Sequence, residues 1–227
     1  YVRHGAVPTP TEYDGAGKVP DQANQYAEIP STLAGDYYVL VRCVADQGTA
    51  FAYTLRADTD ATLPALTLGT PVDGALPQAG DFATYRISVG AGQQLVVHLD
   101  SESVGDDNEL YVRHGVVPTP TEYDAAGKVP DQADQYAEIT STLAGDYYVL
   151  VRCVADQGTG SAYTLRADTD ATLPALTLGT AVAEALPQQG DFDIYRAGVS
   201  AGQRLVIRLD SESVADDNEL YVRHGAV

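Results

Sequence analysis

From Asp36 to Cys43 the side chains alternate along the backbone. Extended geometry puts Tyr38, Leu40 and Arg42 on one face, and Tyr37, Val39, Val41 and Cys43 on the other, apolar one. Alternation, or enrichment in Tyr, Val, Ile and Leu, predicts further strands at Phe82–Val89, Gln94–Leu99, Glu109–Arg113, Gln135–Ile139, Asp146–Val154 and Ser161–Arg166. Turn-forming segments separate them: Gly90-Ala91-Gly92, Asp106-Asp107-Asn108, Val117-Pro118-Thr119-Pro120 and Ala144-Gly145-Asp146. No stretch keeps a period of 3.6 over three turns. The pattern predicts an all-β chain of short strands, hence a β-sandwich.

The pattern also returns. Tyr1-Val2-Arg3-His4-Gly5 recurs from Tyr111 and again from Tyr221, and residues 1–110 differ from 111–220 at 19 positions. Twelve of those differences fall between residues 71 and 98, which marks the early strands as the more permissive surface. A period of 110 residues is that of a whole domain, not of a solenoid turn of roughly 20–50 residues. The polar, Pro-containing segment Asp168 to Pro174, with its copy Asp58 to Pro64, reads as the linker. That placement predicts one complete sandwich over 66–167. It leaves 1–57 as the C-terminal half of a preceding copy and 176–227 as the N-terminal half of a following one. The two halves are complementary, so the expectation is a window on a longer polymer of domains. Its copies are expected to be joined by a continuing chain rather than by one chain's tail completing the next.

Composition sharpens this picture. The net charge is −19, from 32 acidic and 13 basic residues, with Lys18 and Lys128 the only lysines. Such a surface repels nucleic acid and anionic membranes and suits divalent cations, salt or high local concentration. No run approaches the roughly 18 apolar residues of a membrane span. Met is absent, so Tyr1 is not expected to be a translational start. Cys43 and Cys153 occupy equivalent positions on an apolar strand face and read as buried thiols; one per domain closes no disulfide within it.

The segments Asp81-Phe82…Tyr85-Arg86…Ala91-Gly92-Gln93, Asp107 to Arg113, and Pro118-Thr119…Tyr123-Asp124 form a recognisable order. With Leu143 to Val151 and Ala162-Tyr163-Thr164-Leu165, the whole repeat resembles the bacterial pre-peptidase C-terminal domain. The resemblance implies tandem jelly-roll-like β-sandwich domains of a secreted protein. It also implies calcium binding in some members and collagen binding in related collagenase modules. Within these 227 residues the module is expected to be followed only by itself, without the catalytic domain that is the family's usual setting.

Two motifs invite chemistry. Arg113-His114-Gly115, with Arg3-His4-Gly5 and Arg223-His224-Gly225, matches the phosphohistidine signature of histidine phosphatases. That chemistry needs a second His and further Arg residues, and the only His outside the motif, His98, is Arg208 in the next copy. The motif therefore reads as a strand end and the chain as a non-enzyme. The acidic run is the better candidate. Asp100, Glu102, Asp106, Asp107, Asn108 and Glu109 recur as Asp210, Glu212, Asp216, Asp217, Asn218 and Glu219. Calcium takes six to eight oxygens, and paired carboxylates in water repel by up to ~1 kcal/mol at contact. These residues are the expected Ca²⁺ ligands, with Glu122 and Asp124 as neighbours and turn-capping as the plain alternative. Of the adjacent Tyr147 and Tyr148, one is expected in the core and one on the surface. Pro118-Thr119-Pro120-Thr121 is a candidate for O-linked sugars, and no Asn-x-Ser/Thr sequon occurs.

The expected function is a structural module of a long, repetitive, secreted cell-surface protein: a filament, stalk or adhesin shaft. Its expected partner is itself, copy against copy, end to end. The alternative is an extracellular module binding polysaccharide or matrix protein through avidity.

Overall fold

The computed structural model describes all residues except 19–23, 45–51, 131, 133, 159, 212–216 and 226–227. Every regular element among the described residues is a strand. Near the N-terminus lie β1 (Val2–His4) and β2 (Tyr37–Val39). Then come β3 (Val72–Leu76), β4 (Phe82–Val89), β5 (Leu95–Ser101), β6 (Asp107–His114), β7 (Ala125–Gly127), β8 (Gln135–Ile139), β9 (Gly145–Ala155) and β10 (Ser161–Thr169). Two short strands follow, β11 (Ala175–Leu176) and β12 (Arg196–Ala197). No helix among the described residues is long and apolar enough to cross a membrane.

Strands β3 to β10 make two four-stranded sheets, ordered β3-β10-β5-β8 and β4-β9-β6-β7, with antiparallel pairing throughout. The alternating positions decide which side faces inward. In β5, Leu95, Val97 and Leu99 are fully buried, while His98 and Asp100 point to the other face. Across from them lie Leu110, Val112, Val149 and Val151, also fully buried, and together they form one core. Two tyrosines span it: the hydroxyls of Tyr85 on β4 and Tyr163 on β10 are hydrogen-bonded at 2.8 Å, out of reach of water. Gly74 on β3 makes room, since a Cβ there would sit 2.5 Å from the Tyr163 ring. At the other margin Gly127 lets the two sheet edges touch, because a Cβ would stand 2.5 Å from the Tyr136 carbonyl oxygen.

The segment read as a linker is part of this packing. Ala65 bridges Arg86 in parallel, Leu66 N–H donates to the Arg86 carbonyl at 2.8 Å, and Arg86 N–H donates to the Pro64 carbonyl at 2.9 Å. This corrects the expectation for the tyrosine pair. Tyr147 and Tyr148 are both buried, because Asp60 from that segment covers the outward one and accepts the Tyr148 hydroxyl hydrogen at 2.6 Å. Cys153 is buried as expected, whereas its counterpart Cys43 is exposed. Burial pushes the Cys153 thiol up to about 11, so it is held protonated.

The flanking segments keep the contacts of the repeat positions they share. Val2, Arg3 and His4 pair with Val39, Tyr38 and Tyr37, in the register that joins Val112, Arg113 and His114 to Val149, Tyr148 and Tyr147. Ala175 pairs in parallel with Arg196 as Ala65 does with Arg86. Their apolar positions lack cover: Leu55 is 59 % exposed and Tyr221 81 %, against 0 % for Leu165 and 1 % for Tyr111.

Candidate functional site

The acids expected to act together are separated by the pleat and by the sheets. Asp106 ends the turn before β6 with its carboxylate buried, and both of its oxygens lack a hydrogen-bond partner. Asn108, also buried, donates through Nδ2 to the hydroxyls of Ser101 and Ser161, each at 2.7 Å, and leaves its Oδ1 without a partner. Glu109 points to the other side of β6 and forms an ion pair with Arg152 at 3.0 Å. Asp107 is half-buried and Glu102 is exposed. In the following copy Asp210, Asp217, Asn218 and Glu219 are exposed, and Glu212 and Asp216 lie outside the described residues. Glu122 pairs with Arg113 at 2.9 Å, and Asp124 accepts the His114 backbone N–H at 2.7 Å.

Among the described residues, Asp100 alone of the expected acids joins carboxylates close enough to share one ion. Its partners are Asp134 and Asp191, with oxygens within 4.8 Å of one another. Asp100 projects from the outer face of β5, Asp134 precedes the edge strand β8, and Asp191 belongs to the following copy. Ser101 N–H donates to Asp134 Oδ1 at 2.7 Å, and Gln188 Nε2 donates to the Ser101 carbonyl at 2.6 Å. Beside them Phe192 lies on the outward rings of His98 (centroids 4.2 Å) and Tyr136 (5.7 Å).

The electrostatics follow from this crowding. Burial pushes the Asp134 carboxyl up to about 7, and the nearby Asp100 and Asp191 add to the shift. Asp100 is raised by partial burial and by Asp191, Asp193 and Glu102. Burial, then Arg166, pushes His98 down to about 4, so its ring is neutral at ordinary pH and packs as an aromatic. Asp134 and Asp191 stand 34 and 91 residues from Asp100, and nothing local in the sequence links them. The one available sign was that position 134 is Asp where the preceding copy has Asn24.

The Arg-His-Gly motif is taken up by structural contacts. His114 ends β6 with its Nε2 3.4 Å from the Ala144 carbonyl and its ring 4.9 Å from that of Tyr147. His98 lies in the opposite sheet, so the two histidines do not converge.

Residues 81–152 match the family model of the bacterial pre-peptidase C-terminal domain. Alkaline serine exoprotease A of Vibrio alginolyticus is 32 % identical over 87 residues, or 38 % of this chain, and the match spans 16 % of that protein's length. Among solved structures, the pre-peptidase C-terminal domain of a Bacillus anthracis collagenase aligns with 51 % of this chain and 100 % of its own, at 17 % identity and a TM-score of 0.40. The periplasmic lysozyme inhibitor PliG of Aeromonas hydrophila aligns with 48 % of this chain and 96 % of its own, at 15 % identity and a TM-score of 0.36. The segment from Asp81 to Arg152 is thus similar to the pre-peptidase C-terminal domain, and the all-β sandwich that contains it has the fold this similarity implies.

Proposed function

We propose that this chain is a stretch of a secreted, repetitive structural protein, a filament, stalk or adhesin shaft in which non-catalytic sandwiches follow one another in tandem. The observation that carries this reading is the 110-residue repeat, with 19 differences between its copies, together with the recurrence of local geometry. Arg3–Glu12 and Arg113–Glu122 pair at 2.8 and 2.9 Å, and His4 and His114 each donate a backbone N–H at 2.7 Å to Asp14 and Asp124. Uniform copies suit a protein whose every domain makes the same contact with its neighbours. The exposed Leu55 and Tyr221 would be covered by the strands that a further copy supplies. An extracellular setting agrees with the sequence similarity to an exoprotease.

Calcium is the cofactor this reading expects. Two orphan oxygens of buried Asp106 and one of buried Asn108 are hard, anionic or carbonyl donors of the type the ion selects, and Asp106 and Asn108 would hold it. The bound ion would offset the cost of burying an unpaired carboxylate beside β6. A module binding polysaccharide or matrix protein would need an outward aromatic patch repeated on each copy; Tyr136 is the outward ring of the complete sandwich, and one edge of it is taken up by Phe192. The mass of the natural polypeptide under denaturing conditions tests the reading. A species far above 24.0 kDa, the mass of these 227 residues, is expected, and one near that value would overturn it.

A further inference from the structure

Two contacts in the chain, 110 residues apart, are built from the same positions. In the first, the Tyr26 ring meets the Phe82 ring edge-on, with centroids at 5.5 Å and planes at 64°. In the second, Tyr136 meets Phe192 at 5.7 Å and 70°. Each Phe follows a Gly-Asp corner of the same design. Gly80 and Gly190 take φ of 89° and 102°, values open to glycine at little strain. The Asp carboxylate folds back to accept the N–H of Gln78 or Gln188, at 3.1 and 2.8 Å. The Cβ direction of each glycine aims at the side chain of residue 24 or 134, with nearest atoms at 3.6 and 3.9 Å.

The first contact adds two bonds from the earlier copy. Tyr26 donates its hydroxyl hydrogen to the Pro118 carbonyl at 3.0 Å, and Glu28 Oε1 accepts the Val117 N–H at 3.0 Å. Burial pushes the Tyr26 hydroxyl up to about 12. The two contacts differ at one polar pair. Asn24 Nδ2 donates to Asp81 Oδ1 at 2.8 Å, whereas Asp134 presents a carboxylate to Asp191. Asp134 can hydrogen-bond to Asp191 only while one of the two carboxyls carries a proton, whereas an amide at that position donates at any pH.

From this recurrence we infer that the outer face of β8, carrying Tyr136, together with Asp134 just before it, is the docking surface for the Gly-Asp-Phe corner of the next copy of the same 110-residue unit. One surface of each copy is used toward its predecessor and a different one toward its successor. Such a contact is heterologous, propagates in one direction, and builds an open row rather than a closed pair. The ring pair supplies a fixed aromatic anchor, and position 24 or 134 sets how tight each junction is. This rests on reading the chain as a row of copies, but the two are tested separately: polypeptide mass reads the row, and the following experiment reads the docking.

The chain contains no Trp, so one introduced indole reports on one junction. Phe192→Trp and Phe82→Trp are prepared separately in the 227-residue chain. Emission maximum and acrylamide quenching are read in buffer containing a chelator. Both indoles should be blue-shifted and protected. Adding Tyr136→Ala should red-shift and expose the first while leaving the second unchanged, and Tyr26→Ala should do the reverse. Asp134→Asn, which restores the pair seen at Asn24–Asp81, should protect the indole at position 192 further. Hydrogen exchange of the Gln135–Ile139 amides in the otherwise unaltered chain gives the same reading without the indole, and Phe192→Ala should speed it. An indole at position 192 quenched as freely as a model peptide, or exchange indifferent to Phe192→Ala, overturns the docking. Equal protection with and without Asp134→Asn overturns the role given to that position.

Discussion

The buried hydroxyls of Tyr85 and Tyr163 satisfy one another across the core, and the structure gives neither another side-chain partner. Removing one therefore strands the other. Tyr85→Phe should lower stability by about 1–2 kcal/mol, the cost of an unpaired buried polar group. Adding Tyr163→Phe should cost less than the sum of the single changes, and denaturant melts of the four-member cycle measure this coupling. Asp106 is the opposite case, a buried carboxylate whose oxygens find no donor. If calcium fills that role as proposed, chelation at low salt lowers the melting temperature of the native chain and leaves that of Asp106→Ala unchanged. No shift on chelation would remove the ion from the account.

At the scale of elements, β4 and β9 are tied on their outer face by Asp146, which accepts from Ser88 and from Arg86, the latter at 3.1 Å. The Ser88 hydroxyl and the Arg86 guanidinium hold the Asp146 carboxyl below the usual carboxylate range. A depressed value means its contribution to stability is full above the ordinary value of about 4 and is lost as pH falls through the depressed one. Melting temperature should therefore fall more steeply below about pH 4 in the native chain than in Asp146→Asn, and parallel curves would contradict this lock. Where the sheet edges meet, Gly127→Val drives a side chain into the Tyr136 backbone and should cost about 1–3 kcal/mol. It should loosen β7 first, as seen by hydrogen exchange.

The same scale explains what the sequence made legible. Phe82–Val89 is legible to the residue because Tyr85, Ile87 and Val89 alternate with polar positions, and Gln135–Ile139 because Tyr136 and Ile139 favour strands between turn segments. The edge strands β3 and β7 leave little trace in the sequence, since Val-Asp-Gly-Ala-Leu and Ala-Ala-Gly contain few strand-favouring residues. Gly74 and Gly127 are small for reasons that lie on other strands. Likewise the acidic residues are neighbours in the sequence, but the pleat turns Asn108 inward and Glu109 outward. The carboxylates that gather around Asp100 come from distant segments: the β5–β8 pairing brings Asp134, and the following copy brings Asp191.

For the whole molecule, the proposed arrangement is a row of copies, each offering its β8 face to the Gly-Asp-Phe corner of the next. The repeat in the sequence and the repeat in the contacts then have one cause: every junction needs the same two surfaces. Electron microscopy of the natural protein tests this most directly. A stacked row gives extended particles with evenly spaced domains along one axis, thickened at a period of one sandwich. Compact particles, or beads at irregular spacing on a flexible thread, would contradict it.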